Sequence, residues 1–333
     1  MHSNTNPLAK TTSIGNALIG VDIGGTKTAV CLSASAPDLL WRREFPTLPQ
    51  DGPQHAIATI KRLIREGITE TALSPQAIGV SCGGPLDSTA GLIQRPPNLW
   101  TWDDVRITSD LSEATGLPCA LENDANAGAL AEFHFGAGRG VEHMVFLTLG
   151  TGLGAGLILN GALYRGASHL AGEIGHVRLT EHGPVGYGKE GSAEGWASGG
   201  GMARLAATAV QDALASNRTT LLTEKLEGLT TRDIGEAHQQ GDAVAGEIIA
   251  LSGRRLGEAL AVLVDVLNPQ RIVIGGLALR LGETLLGPAR EKLHQEALPA
   301  SVAACEVVPA ELGEHIGDIA ALCVALQALR PAR

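Results

Sequence analysis

Short apolar runs separated by Gly-rich turns recur twice along the chain in the same arrangement. Ala17-Leu18-Ile19-Gly20-Val21 has the character of a buried strand. The turn Asp22-Ile23-Gly24-Gly25-Thr26-Lys27 follows it, and Thr28-Ala29-Val30-Cys31-Leu32 is apolar and β-rich again. Mid-chain, the run from His143 to Leu149 leads into Gly150-Thr151-Gly152-Leu153-Gly154-Ala155-Gly156 and then Leu157-Ile158-Leu159. The pattern predicts strands near 17–23, 28–33, 39–45, 77–81 and 118–122, with helices near 54–68 and 108–115. Asn123 opens an Ala-rich helix running to about Phe135. The second half predicts strands near 143–149, 155–160, 176–179 and 271–274, and helices near 193–215, 243–267 and 282–297. A final Ala-rich helix follows Gly317-Asp318.

The two turns suit a polyphosphate. Gly24 and Gly25 let the backbone bend sharply and bring its N–H groups close to phosphate oxygens. Thr26 and Lys27 add a hydroxyl and a cation. Asp22 would repel phosphates unless a cation lay between, so it reads as a partner of Mg²⁺ through water. A plain hairpin with an Asp22–Lys27 pair is the alternative. In the second turn Gly150, Gly152 and Gly154 supply the bend and Thr151 the hydroxyl, and a flexible hairpin is the alternative there too. A Walker A loop is excluded, because Thr26 rather than Gly precedes Lys27-Thr28. Gly186-Tyr187-Gly188-Lys189-Glu190-Gly191 fits G-x-G-x-x-G but does not directly follow a strand, which argues against dinucleotide binding.

Between the turns lies Glu122-Asn123-Asp124-Ala125-Asn126. Asn or Asp before an apolar run is a helix-cap signal. The functional reading is that Asp124 takes the proton from an attacking hydroxyl while Asn123 holds a neighbouring one. Further on, Glu173, His176 and Glu194 are suited to adjacent sugar hydroxyls. A metal site at His169, Glu173 and His176 lacks the H-E-x-x-H pattern, and no cysteine lies between Cys119 and Cys305. An ordinary polar surface loop is the alternative.

In these motifs, and in their order from about Ala17 to Leu329, the chain resembles the ROK family of repressors, open reading frames and sugar kinases. Asp22 to Lys27 looks like the first phosphate motif and Gly150 to Gly154 like the second. Asn268-Pro269-Gln270-Arg271-Ile272-Val273-Ile274-Gly275-Gly276 is similar to the adenosine-side motif. Glu122 to Asn126 matches the catalytic segment, making Asp124 the base by resemblance. Gly84, in Ser81-Cys82-Gly83-Gly84-Pro85-Leu86-Asp87, and Asn98 lie in sugar-side segments, and Glu173, His176 and Glu194 match sugar-contacting positions. The resemblance implies an α/β protein with a duplicated ribonuclease-H-like, actin-like ATPase fold and two domains around a cleft. It implies an ATP-dependent hexose kinase, glucokinase-like, that uses Mg²⁺ and is often a homodimer. Alternatives are an N-acetylmannosamine or N-acetylglucosamine kinase, a fructokinase, or a non-catalytic sugar sensor. A repressor would need a winged-helix domain before the core, and only about 16 residues precede the first strand. Val185, Tyr187 and Ser192 stand where many members carry zinc-binding cysteines, so no structural zinc is expected.

Composition bounds these readings. The 333 residues suffice for two domains, expected at 17–121 and 122–315, and the resemblance implies that the helix 316–331 packs back on the first. A net charge of −10 argues against a nucleic-acid partner. Five widely spaced cysteines fit a reducing cytoplasm better than a disulfide scaffold. No apolar run reaches the roughly 18 residues needed to cross a membrane, and the polar segment 1–16 reads as a disordered tail without a signal core.

Overall fold

The computed structural model describes residues 16–225 and 228–329. The expected tail, apart from Asn16, lies outside the described residues. No described helix is long and apolar enough to cross a membrane. The chain divides into two compact units.

The first unit runs to Gly140 and takes in Leu163–His169 and the segment from Glu314. Its strands are β1 (Leu18–Ile23), β2 (Lys27–Ser33), β3 (Trp41–Pro46), β4 (Ala77–Cys82), β5 (Leu86–Asp87), β6 (Leu92–Ile93) and β7 (Cys119–Asn123). Its helices are α1 (Pro53–Thr71), α2 (Ile107–Thr115), α3 (Asp124–Phe135) and the late helix Ile316–Ala328. The main sheet has the order β3-β2-β1-β4-β7. The first three strands are antiparallel neighbours, and β1, β4 and β7 run parallel.

Strand alternation sets the two faces of this sheet. Ile19, Val21, Ile23, Ile78, Val80 and Leu121 join Ile57, Ile60 and Ile64 of α1 and Leu111 of α2 in one core. Each such burial contributes about 1.5–3 kcal/mol. The register lines up Gly20, Gly79 and Ala120 across the parallel strands. The helix Ile316–Ala328 lies on that row so closely that a Cβ at Gly79 would overlap the Ala321 carbonyl. Two residues further on, the same face carries Asp22, Ser81 and Glu122 in register, a polar row near the C-terminal ends of the parallel strands. Helix α3 packs on the same late helix. The unit therefore extends to Gly140, past the boundary at 121 expected from the sequence.

The second unit comprises Val141–Ala162 and Leu170–Gly313. It is built on β8 (Met144–Leu149), β9 (Leu153–Leu159), the start of β10 (Ala162–Tyr164, whose last two residues count with the first unit), the small pair β11 (Val185–Gly186) and β12 (Lys189–Glu190), β13 (Arg271–Ile274) and β14 (Glu306–Pro309). Its sheet order, β10-β9-β8-β13-β14, repeats the first, with β8 antiparallel to β9 and β8, β13 and β14 parallel. Its helices are α4 (Ala193–Ala197), α5 (Gly199–Ala215), α6 (Thr231–Gln239), α7 (Ala243–Leu267), α8 (Leu277–Leu281), α9 (Glu283–Glu296) and α10 (Pro299–Ala303).

Two expected elements differ. Instead of a strand at 176–179, Ile174–His176 is a single 3₁₀ turn and Arg178 makes one isolated bridge to Ser192. The expected helix 193–215 is interrupted at Ser198, whose extended backbone restarts the helix and whose hydroxyl accepts from the Gly201 amide. Three glycines follow Ser198, and weak helix formers there make a fresh cap preferable to continuation.

Candidate active site

The first turn is a tight connection between β1 and β2. The Gly24 amide donates to the Lys27 carbonyl at 3.0 Å, and the Thr47 hydroxyl donates to the Gly24 carbonyl at 2.6 Å. Thr26 and Lys27 are exposed. Gly25 abuts the 3₁₀ turn Pro97–Leu99: a Cβ at 25 would lie 2.5 Å from the Cβ of Asn98. The turn and the segment bearing Asn98 are thus fitted to each other. Gly84 is exposed just beyond β4. Lys27 pairs at 3.3 Å with Glu44 rather than with Asp22, and Glu44 also takes Arg42 at 2.9 Å.

Asp22 is half-buried. Burial, then the charges of Asp318 and Asp124, push its pKa up to about 6, against the opposing Ser81 hydrogen bond and the Lys27 charge. Asp318 is itself buried and accepts from Arg42 Nε at 2.7 Å.

At the corner between β7 and α3 the helix cap falls on Asn123 and not on Asp124. Asn123 is the cap, its Oδ1 accepting the Asn126 amide at 2.7 Å. Asp124 begins the helix with a solvent-accessible side chain, and its Oδ1 accepts the Ala125 amide at 2.8 Å. Surrounding protein raises its pKa through desolvation, partly offset by the backbone amides of Ala125 and of Asp124 itself. Behind the corner, Glu122 is buried. Its Oε2 meets Arg165 Nε at 2.8 Å and Nη2 at 2.7 Å. Its Oε1 accepts from Asn126 Nδ2 at 3.0 Å and from the Asn123 amide at 3.1 Å. Arg165 also donates to Gln327. Sequence reasoning passed over Arg165, which sits in a loop with no local motif of its own. His169 hydrogen-bonds Ser88 at 3.3 Å and Thr89 at 3.1 Å.

In the second unit the turn between β8 and β9 is Gly150-Thr151-Gly152, closed by the Gly150 amide on the Gly152 carbonyl at 3.0 Å. Gly154 lies inside β9, opposite Thr148, so the turn is shorter than the glycine spacing indicates. The amides of Gly199 and Gly200 at the start of α5 hold the carbonyls of Gly150 and Thr151 at 2.8 and 3.1 Å. Gly275 continues the sheet through its amide to Leu147. Gly276, at φ +66°, lies against Leu149, where a Cβ would overlap the carbonyl. Gly275 and Gly276, which the resemblance assigns to the adenosine side, therefore adjoin the strand that enters this turn. Glu194 Oε2 accepts the Leu153 amide at 3.2 Å and would lie 2.8 Å from a Cβ at Gly152.

Glu173 and His176 are exposed at the two ends of the 3₁₀ turn. Lys189 Nζ donates to the His176 carbonyl at 2.7 Å, and the Tyr187 ring stands edge-on to His176 at 6.4 Å. Ser192 caps α4 and Val185 lies in β11. None of Val185, Tyr187 and Ser192 offers a thiolate. Among the described residues, no three His, Cys, Asp or Glu side chains gather in a way that could hold a metal ion.

The sequence profile of the ROK family matches residues 18–328. The glucokinase of Halalkalibacterium halodurans is 36% identical over 310 residues, which cover 90% of this chain and 92% of that protein. The structure of a ROK hexokinase from Thermus thermophilus has a TM-score of 0.77 at 33% identity, covering 93% of this chain and 98% of its own. A ROK family glucokinase from Streptomyces griseus, solved in complex with glucose and AMPPNP, has a TM-score of 0.76 at 31% identity. That match covers 94% of this chain and 100% of the other.

Proposed function

We propose, from the premise that this chain belongs to the ROK family, that it transfers the γ-phosphoryl group of ATP to a hydroxyl of glucose with Asp124 as general base. The fold is the duplicated actin-like ATPase fold, and the chain is a sugar kinase. Glucose and ATP are favoured as the pair because the relatives include glucokinases, one of them solved with glucose and AMPPNP.

The observation that carries the reading is Asp124. Its carboxylate is accessible at the start of α3, on a corner held by hydrogen bonds, and its raised pKa strengthens it as a proton acceptor. Phosphoryl transfer needs little else from a protein beyond placement and charge compensation. Gly24, Gly25, Thr26, Lys27, Gly150, Thr151 and Gly152 are the proposed phosphate contacts, and Gly275 and Gly276 the proposed adenosine contacts. Lys27 must leave Glu44 to reach a phosphate, and because both side chains are exposed the pair is weak and readily broken. Gly84, Asn98, Asn123, Glu173, His176 and Glu194 are the proposed sugar contacts.

The residues fit magnesium carried by the nucleotide. Asp22 is a half-buried carboxylate whose charge is disfavoured by Asp318 and Asp124, so a cation beside it would be favourable. Mg²⁺ is commonly held by one or two carboxylates together with phosphate oxygens and water. Bound there, it would offset phosphate charge. A homodimer in the cytoplasm is the setting that the resemblance and the free cysteines favour.

The test is a coupled assay of ADP release with Mg-ATP and glucose, N-acetylmannosamine, N-acetylglucosamine, fructose or allose, beside Asp124→Asn and no-sugar controls. Glucose should give the strongest turnover, and Asp124→Asn should lower it about 10²–10⁴-fold. Preference for an N-acetyl sugar would reassign the acceptor. Near-normal turnover in the variant would remove Asp124 from the chemistry.

A further inference from the structure

We infer that Arg165 is a positioning residue that holds the β7–α3 corner from which Asp124 works. The inference rests on the reading of Asp124 as general base. Arg165 lies in the short segment Leu163–His169, which the chain contributes to the first unit between two stretches of the second. Its guanidinium makes two contacts with one oxygen of Glu122 and a further one with Gln327 of the helix Ile316–Ala328. Glu122 is almost fully buried, so its charge needs compensation, and Arg165 supplies it.

The other oxygen of Glu122 faces the corner itself. It accepts the backbone N–H of Asn123 and the side-chain amide of Asn126, while Asn123 in turn caps the Asn126 amide. Asp124 lies within the stretch from Asn123 to Asn126 that these bonds hold. Arg165 fixes the plane of the Glu122 carboxylate, the carboxylate fixes Asn123 and Asn126, and those two fix where α3 begins. Asp22 and Ser81 precede Glu122 in the same polar row of the sheet, so the row ends in a carboxylate with a structural duty. The guanidinium fork matters as well as its charge: an ammonium can neutralise Glu122 but cannot span Glu122 and Gln327 in one rigid plane.

The test compares Arg165→Lys with wild type in steady-state kinetics and thermal unfolding. Loss of placement at the base should lower kcat about tenfold, with KM for both substrates within about threefold and Tm within a few degrees. Gln327→Leu, which removes only the second anchor, decides the matter if Arg165→Lys does not fold, and should lower kcat about threefold in the same pattern. Unchanged kcat in the deciding variant, or a fall that only follows the folded fraction, would overturn the inference. Asp124→Asn is run alongside. If it retains turnover, the base reading itself fails. If it is inactive while Arg165→Lys is normal, only the role of Arg165 fails.

Discussion

Asp22 Oδ2 lies directly against the backbone of Gly317, where a methyl group would overlap it. The carboxylate that ends the polar row at β1 therefore meets the first turn of the helix Ile316–Ala328, beside Asp318. A short, Cβ-free residue at 317 is what lets the carboxylate and the helix come this close.

This placement has a signature in pH. The folded-state pKa of Asp22 is raised to about 6, against an ordinary value near 4. Between those values the folded protein holds a proton that the unfolded chain has released. The stability tied to this group is full below about pH 4 and is lost as pH rises through about 6. Without ligands, Asp22→Asn should gain on wild type across that window, by up to roughly 3 kcal/mol at neutral pH. Thermal melts of the two proteins at closely spaced pH values check this, and parallel curves would contradict it.

As the proposed base, Asp124 should set the acid side of catalysis. A base must be ionised, and the pKa of Asp124 is raised by desolvation. With Mg-ATP saturating, kcat/KM for the sugar should fall as pH drops, with a midpoint above the ordinary aspartate value near 4. A pH–rate profile in which activity persists unchanged down to that value would contradict the expectation.

Gly25→Ala should push Asn98 away from its seat, because the new Cβ would lie 2.5 Å from the Asn98 Cβ. Gly25 belongs to the proposed phosphate turn and Asn98 to the proposed sugar contacts, so KM for sugar and for ATP should both rise, severalfold, while the overall fold persists. A rise confined to ATP would show that the contact does not transmit to Asn98.

Arg42→Met strands Asp318 as a buried, uncompensated charge, since the pair is 2.7 Å apart and Asp318 is 4% exposed. Breaking one side of such a pair costs about 3–5 kcal/mol. Urea unfolding should show that loss, and the double variant Arg42→Met/Asp318→Asn should recover most of it.

Much of this was legible in the sequence because it is written in local patterns. The two strand–turn–strand segments, the run 271–274 and the cap at Asn123 are signals of alternation and capping, and the structure places them within a residue or two of expectation. The strand expected at 176–179 rested on a few apolar residues without a partner, and strand pairing is a property of neighbours distant in sequence. Gly154 counted with its turn by glycine spacing, yet register assigns it to β9. Arg165 had no local mark, because its meaning comes from Glu122, 43 residues away, and Gln327, 162 residues away.

The smallness of Gly20, Gly79 and Ala120 reserves a groove on the first sheet for residues 316–328. A ribosome makes that sheet first and the helix that covers it only after every residue of the second unit. The nascent first unit must therefore wait with one face of its sheet bare, while the second unit can already close. In this chain the domain begun first is the one completed last.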